Sequence, residues 1–74
     1  MTAAPVTART ITTALIEQAA DDLSWLQGHT GLSETDIVNR AVTLYRFAEE
    51  QIAAGKALVV QDPDDGTVLT VQLL

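Results

Sequence analysis

A chain of 74 residues provides one small domain, which by itself buries only about 60–65% of the surface that the unfolded chain exposes. Hydrophobic residues make up 47% of it, and with no cysteine and a single histidine it has neither disulfides nor a zinc site to stabilise it. Ten acidic against four basic side chains give a net charge of −6, whereas nucleic-acid binders usually carry a basic surface. Oligomerisation is therefore the expected additional source of stability.

The sequence also excludes several functional classes. It contains no apolar run near the ~18 residues that a membrane span needs, and the segment MTAAPVTART lacks the basic start and apolar middle of a signal peptide. We therefore expect a cytoplasmic, soluble protein with no membrane partner. Phosphate loops, nucleophile elbows and Cys/His patterns are absent, and so short a chain cannot enclose a sizeable pocket. The sequence accordingly predicts no enzyme activity, no cofactor, no metal and no small-molecule substrate.

The chain opens with two short segments of different character. Residues 1–8 are mostly small and have little to pack, so we expect a flexible N-terminal arm. Residues 9–15 are rich in β-branched side chains, which favours a strand. Because a lone strand does not persist in water, this strand needs a partner strand. A competing interpretation has the first helix begin early, with Thr12 or Thr13 as its cap.

The first helix is expected over residues 16–27, where leucine, isoleucine and alanine side chains recur on one side. Its end is expected near Gly28, and Gly31 supplies the left-handed position of the turn that follows. His29 is interpreted as a polar residue of that turn. Trp25 interrupts the apolar pattern, because it projects among polar side chains.

The second helix is expected over residues 34–54, with Ser33 as its cap and Gly55 as its stop. Asp36 follows Ser33 by three residues and completes a capping box. The apolar side chains of this helix cover an arc of about 160°, wider than the ~100° stripe of a helix packed on one neighbour. They are Ile37, Val38, Ala41, Val42, Leu44, Tyr45, Ala48 and Ile52. A helix with this much apolar surface contacts two neighbours, and the second is most easily another copy of the chain.

After the second helix, the sequence changes to a period of two. Residues 57–61 and 67–73 are two β-branched runs around the segment Asp62-Pro63-Asp64-Asp65-Gly66, which predicts a hairpin. The acids of this segment bear a weak similarity to a calcium loop. The spacing fails, because a glycine comes too early and the distal bidentate glutamate is missing. A tight turn is the favoured interpretation.

Trp25 and Phe47 both lie off the main apolar stripes of their helices. An aromatic side chain on a polar helix face can anchor a protein partner, since Trp is enriched at binding hot spots. The favoured alternative is that the C-terminal hairpin folds back and buries both rings.

The order of strand, helix, Thr-Gly-Leu-Ser turn and longer helix resembles the ribbon-helix-helix family of small dimeric DNA-binding regulators. The resemblance covers about residues 9–50. It is carried by residues 11–15, by Thr30-Gly31-Leu32-Ser33, and by Leu23, Leu26, Ile37, Asn39, Arg40, Ala41, Leu44 and Tyr45. The segment after the second helix is similar to a bacterial subgroup of the family that adds a hairpin. The resemblance implies an α+β fold: a ribbon-helix-helix (β-α-α) homodimer over residues 9–55, with an intermolecular antiparallel β-ribbon, followed by a C-terminal β-hairpin over residues 56–74.

The same resemblance implies roles for individual residues. The shared dimer core would comprise Ile11, Thr13, Leu15, Ile37, Val38, Ala41, Leu44 and Tyr45. The outer face of the ribbon would enter the major groove of double-stranded DNA with Arg9, Thr10, Thr12 and Ala14. A DNA phosphate would meet the N-terminus of the second helix at Leu32, Ser33 and Glu34. Glu34 stands where the family often carries Lys or Arg, and its carboxylate repels a phosphate.

Two functions are therefore expected. The first is a transcriptional regulator that reads a major groove with a dimeric β-ribbon. The alternative is an acidic dimerisation or protein-interaction module of the same origin that does not bind DNA, with Trp25 as its candidate anchor for a protein partner. Arg40 and Arg46 lie on polar arcs of the second helix, where pairing with Asp36 or Glu50 is expected. Few cations then remain to neutralise phosphates.

Overall fold

The computed structural model describes residues 6–72, so residues 1–5 of the predicted arm and residues 73 and 74 of the predicted hairpin lie outside it. Its elements, in chain order, are helix α1 (Glu17–Thr30), helix α2 (Glu34–Ala53), strand β1 (Leu58–Gln61) and strand β2 (Val68–Val71). The two strands form one antiparallel sheet. The fold is therefore α+β with the order α-α-β-β.

This order contradicts the predicted β-α-α arrangement. Residues 9–15 are not a strand, and the early-helix alternative is wrong as well, because α1 begins at Glu17 after an extended Ile16. The physical reason is that a strand is defined by its pairing, and within residues 6–72 each strand pairs only with the other. The ribbon-helix-helix assignment and its intermolecular β-ribbon are corrected accordingly: the sheet of this protein follows the helices.

Helix α1 extends beyond its predicted end. Gly28 and His29 lie inside the helix, which ends at Thr30, so the stop predicted near Gly28 is wrong. Gly31 ends the helix instead, and its N–H donates to the Gln27 carbonyl at 3.0 Å. The φ angle of Gly31 is 72°, a left-handed conformation that favours glycine.

Helix α2 begins where the sequence predicts and ends one residue earlier. The extended Ser33 is its N-cap, and the Ser33 hydroxyl accepts a hydrogen bond from the Asp36 N–H at 3.1 Å. The reciprocal bond from the Ser33 N–H to the Asp36 carboxylate is absent from the described hydrogen bonds, so half of the capping box forms. The helix ends at Ala53, two residues before Gly55.

The C-terminal hairpin is confirmed, with shorter strands than predicted. Its four residue pairs run from Leu58 opposite Val71 to Gln61 opposite Val68. Two backbone hydrogen bonds close the intervening turn. The Asp62 N–H donates to the Thr67 carbonyl at 2.8 Å, and the Gly66 N–H donates to the Asp62 carbonyl at 2.9 Å. The hairpin contacts the rest of the chain through β1, which packs against α2.

The hydrophobic core of the single chain is small. Ile37 and Ala48 are its only buried apolar residues in the described part, with 6% and 5% of their surface exposed. Several other side chains from both helices, the helix-helix joint and the hairpin are half-buried: Ala19, Leu23, Leu26, Gln27, Leu32, Gln51, Leu58 and Val71. Neither of the two described helices combines the length and the hydropathy needed to cross a membrane.

The molecule is extended rather than compact. Its accessible surface is 6971 Å², whereas a compact monomer of 7.9 kDa exposes about 4,400 Å². The radius of gyration is 15.3 Å, against about 11 Å for a compact domain of this length. A large part of the apolar surface is thus left uncovered by the chain itself.

Candidate functional site

The N-terminal segment, defined here as residues 6–16, lies outside the helices and strands and is exposed throughout. It contains the predicted base-facing residues Arg9, Thr10, Thr12 and Ala14. The side chains predicted to point inward from the same segment are exposed too, including Thr13, with exposed fractions of 64% for Ile11 and 46% for Leu15. Within the single chain, burial therefore does not distinguish an inner from an outer face of this segment.

The start of α2 carries the predicted phosphate-binding residues Leu32, Ser33 and Glu34. Leu32 is half-buried, and its N–H donates to the Thr30 hydroxyl at 3.2 Å. The Ser33 hydroxyl is already engaged by the Asp36 N–H. Glu34 and Asp36 place two carboxylates in the first turn, which stabilise the helix through its dipole but repel a phosphate. The local structure thus favours helix stability over anion binding.

Viewed down its axis, helix α2 has apolar side chains on both sides of the buried Ile37. One side lies about 40–140° around the helix from Ile37, at 100° per residue. It comprises Val38, Ala41, Val42, Tyr45 and Ile52, and this set is called the Val38 flank. All five are exposed, and the four large side chains have exposed fractions between 37% and 62%.

On the opposite side of Ile37, about 20–80° around the helix, lie Leu44, Arg40 and Phe47. Together with Asn39 and Thr43 they line a shallow, open surface region of α2, called the Phe47 groove. Leu44 is 66% exposed and Phe47 is 57% exposed. The sequence prediction missed this groove. Its signal is the helical projection that places Phe47 beside Arg40 and Thr43, away from the main apolar stripe.

The α2 residues predicted for the dimer core do not lie on one surface. Ile37 is buried within the chain. Val38, Ala41 and Tyr45 lie on the Val38 flank, whereas Leu44 lies in the Phe47 groove. The predicted set is therefore divided among the buried core, the Val38 flank and the Phe47 groove. The reason is that Ile37, in the middle of the predicted arc, is buried within the single chain.

Trp25 and His29 form an aromatic pair on the surface of α1. Their ring centroids are 4.7 Å apart and their planes are 11° from parallel. Trp25 is 64% exposed, and Asp21 and Asp22 precede it by one helical turn. The interpretation that the hairpin buries Trp25 and Phe47 is wrong for the single chain, because the hairpin contacts α2 through β1 and leaves both rings exposed.

The hairpin has one face made only of aliphatic side chains, called the hairpin face. It consists of Leu58, Val60, Leu69 and Val71, because residues paired across two strands project to the same side. Leu58 and Val71 at its base are half-buried, whereas Val60 and Leu69 near the turn are 57% and 68% exposed. The strand register, and not the alternation within either strand alone, shows that all four residues share one side of the hairpin.

Two of the three aspartates of the hairpin turn accept hydrogen bonds from other residues of the turn. The Asp62 carboxylate accepts the Asp64 N–H at 2.9 Å, and the Asp65 carboxylate accepts the Thr67 N–H at 2.8 Å and the Thr67 hydroxyl. The hydroxyl and then the N–H of Thr67 hold the pKa of Asp65 below its ordinary value. No group of three His, Cys, Asp or Glu side chains within residues 6–72 is arranged to hold a metal.

The two basic side chains of α2, Arg40 and Arg46, lie on different sides of the helix. Arg46 Nε lies 2.8 Å from a Glu50 carboxylate oxygen, as predicted. The predicted Arg40–Asp36 pair is not found in the described part of the chain, and Arg40 borders the Phe47 groove. Since Arg40 and Arg46 project about 120° apart around α2, they do not share one basic surface.

No family model, curated protein or solved structure matches this chain. Five exposed features of the molecule are candidates for function: the N-terminal segment, the Val38 flank, the Phe47 groove, the Trp25–His29 pair and the hairpin face. Three of these are chiefly apolar, one is aromatic, and the N-terminal segment carries Arg9.

Proposed function

We propose that this protein is a homodimer that serves as a protein-interaction module. The observation that carries the proposal is the accessible surface of 6971 Å², about 2,500 Å² more than a compact monomer of this mass exposes. Obligate homodimers bury about 2,000–5,000 Å² in total, half of it on each chain. Part of the excess belongs to the exposed residues 6–16, and part to the apolar side chains of α2 that an interface would remove from solvent.

The Val38 flank is the surface proposed to meet the second copy. It extends along about four turns of α2, from Val38 to Ile52, and its large side chains are substantially exposed. Contiguous apolar patches of this extent are uncommon on monomeric proteins and mark interaction sites. In a two-fold symmetric dimer the same patch of each copy meets its counterpart, so one such surface is sufficient.

Trp25 is proposed as the anchor for a second protein whose contacting segment is basic. The exposed Trp25 ring stacks on His29 and lies one turn after Asp21 and Asp22. An aromatic ring attracts an Arg or Lys side chain placed over its face, and the nearby carboxylates strengthen this attraction. The net charge of −6 on each chain acts in the same direction.

DNA-binding transcriptional regulation is the second candidate. It is favoured by the N-terminal segment, where Arg9, Thr10 and Thr12 are exposed and free to contact DNA. The net charge and the two carboxylates at the start of α2 oppose the approach of a polyanion. Protein interaction is therefore the first proposal and DNA binding the second.

Light scattering during size-exclusion chromatography tests the homodimer. We expect a mass of twice 7.9 kDa for the wild-type protein and a single-chain mass for Val42→Asp, because a carboxylate in the Val38 flank cannot be buried unpaired. Ser24→Asp, on the exposed side of α1, adds the same charge elsewhere and should remain dimeric. A wild-type protein that stays monomeric at every concentration would overturn the proposal.

Two ligand titrations separate the candidate functions. Binding of a labelled arginine-rich peptide, weakened by Trp25→Ala and not reproduced by a glutamate-rich peptide of equal length, supports protein interaction. Binding to mixed duplex DNA that falls steeply as salt rises, with a preferred site after selection from random duplexes and weaker base preference in Thr12→Ala, supports DNA regulation instead. Failure to bind the basic peptide removes the proposed role of Trp25.

A further inference from the structure

We propose that the hairpin of one copy docks into the Phe47 groove of the second copy. This inference rests on the proposed homodimer and names a second contact within it, separate from the Val38 flank. Both surfaces are uncovered in the single chain. Val60 and Leu69 on the hairpin face are 57% and 68% exposed, and Leu44 and Phe47 in the groove are 66% and 57% exposed.

The hairpin requires a packing partner for physical reasons. A two-stranded hairpin is at best marginally stable in water, unless another element packs against it. Here the packing reaches only the base of the hairpin face, where Leu58 and Val71 are half-buried. The end nearer the turn exposes Val60 and Leu69, which are directly opposite each other and form one aliphatic ridge. This ridge is the surface proposed to dock.

The Phe47 groove matches the ridge in chemistry. The groove is shallow and open, and presents Leu44 and Phe47 as its large apolar side chains. An aliphatic ridge placed between these two side chains removes apolar surface from water on both partners.

Charge favours the hairpin over other apolar segments as the occupant of the groove. The hairpin turn, directly beyond the ridge, carries Asp62, Asp64 and Asp65, and the groove is bordered by Arg40. Within residues 6–72, Arg40 has no carboxylate partner. The carboxylates of Asp62 and Asp65 accept hydrogen bonds inside the turn, whereas that of Asp64 accepts none there. Arg40 and Asp64 are therefore the proposed ion pair of the docked state.

The source of the docked hairpin is a second copy of the chain. The chain's own hairpin leaves both the ridge and the groove exposed, so it does not fill its own groove. In a two-fold dimer each copy supplies one hairpin and one groove, and both contacts form together.

Site-specific cross-linking tests the docking directly, because the chain has no cysteine of its own. A Leu44→Cys chain is mixed with a Leu69→Cys chain and oxidised, and the products are separated without reducing agent. We expect a covalent pair of chains joined between positions 44 and 69. Val59→Cys is the matched control for Leu69→Cys, since Val59 is 53% exposed but lies on the other face of the hairpin. It should give far less product with Leu44→Cys.

Charge reversal provides a second measurement that does not depend on oxidation. Arg40→Asp or Asp64→Arg alone places like charges at both contacts of the dimer. Each should raise the dimer dissociation constant by about five- to thirtyfold, the combined effect of two partly exposed ion pairs. Mixing the two variants restores opposite charges at both contacts, so the mixed dimer should regain the wild-type constant. A contact within one chain cannot be restored by mixing.

The outcomes distinguish failure of this inference from failure of the proposed homodimer. A dimer in which positions 44 and 69 cross-link no better than the Val59→Cys control, or in which mixing restores nothing, overturns the docking and leaves the homodimer standing. A chain that is monomeric throughout overturns both.

Discussion

Several single residues stabilise the joint between α1 and α2. The Thr30 hydroxyl donates to the Leu26 carbonyl at 2.6 Å and accepts the Leu32 N–H at 3.2 Å. Gly31 adopts the left-handed conformation that ends α1, and Ser33 caps the first turn of α2. These interactions satisfy backbone groups that helix ends otherwise leave unpaired. The joint is therefore defined by its own short sequence, whatever covers the helices.

A pair of glycine substitutions tests this account of the joint. Gly31→Ala should destabilise the protein by about 1–2 kcal/mol, because an L residue at a φ of 72° clashes with its own backbone. A Cβ at Gly31 or at Gly28 meets no other atom within 4 Å. Gly28→Ala, inside α1, should therefore stabilise by up to about 1 kcal/mol through helix propensity. Urea unfolding measures both variants, and effects of the same sign would contradict the assigned helix end.

Asp65 provides a prediction about pH. The Thr67 hydroxyl, and secondarily the Thr67 N–H, hold the pKa of Asp65 below its ordinary value of 3.8. Because the folded pKa is the lower one, this stabilisation is present above the unfolded pKa and is lost as the pH falls through the folded pKa. Thr67→Val removes the hydroxyl but keeps the N–H, so the pKa of Asp65 should rise. Carboxyl-carbon NMR titration measures it, and an unchanged Asp65 pKa would disprove the hydroxyl's role.

At the level of helices and strands, α2 is the element that joins α1 to the hairpin. It packs against α1 and against β1, and it holds both buried apolar residues, Ile37 and Ala48. Hydrophobic periodicity and capping were sufficient to predict α2 and the hairpin, because both depend on residues close in sequence. The strand predicted at residues 9–15 failed for the opposite reason: β-branched composition favours an extended chain but does not supply a partner.

The contribution of the α2 core to stability is tested by an Ile→Ala substitution at one buried and one exposed position. Ile37→Ala should destabilise the protein by about 2–5 kcal/mol, because Ile37 is only 6% exposed and its loss leaves a cavity. Ile16→Ala, at a site 74% exposed before α1, should change stability by about 0.5 kcal/mol or less. Thermal and urea unfolding compare the two. Similar losses at both positions would show that Ile16 is buried in the protein in solution.

For the molecule as a whole, two quantities show that the single chain buries little of its surface. The accessible surface of 6971 Å² and the radius of gyration of 15.3 Å both exceed those of a compact chain of this size. Two buried apolar residues provide little of the hydrophobic stabilisation that a domain needs to offset its conformational entropy. On the proposed homodimer, association supplies the remainder, and folding and dimerisation are expected to occur together.

The proposed homodimer predicts that stability depends on protein concentration. A tenfold increase in concentration should raise the unfolding midpoint by about 4 °C, because mass action favours the dimer and both chains unfold together. Circular dichroism melts at two concentrations measure this shift. Identical midpoints for the wild-type protein would contradict the coupling, and Ser24→Asp should show the same concentration dependence as the wild type.

The sequence alone was sufficient for the features whose causes are local. It predicted the turn at Gly31, the cap at Ser33, the start of α2 and the hairpin, because hydrogen bonds and periodicity within a few residues determine them. It also singled out Trp25 and the N-terminal segment as candidate sites. Which side chains are buried, and whether residues 9–15 pair, depended on which elements meet in space. The hairpin face emerged only from the strand register, since the fold brings its members together from two strands. The Phe47 groove lies on consecutive turns of α2, so its members could have been grouped from the helical projection of the sequence.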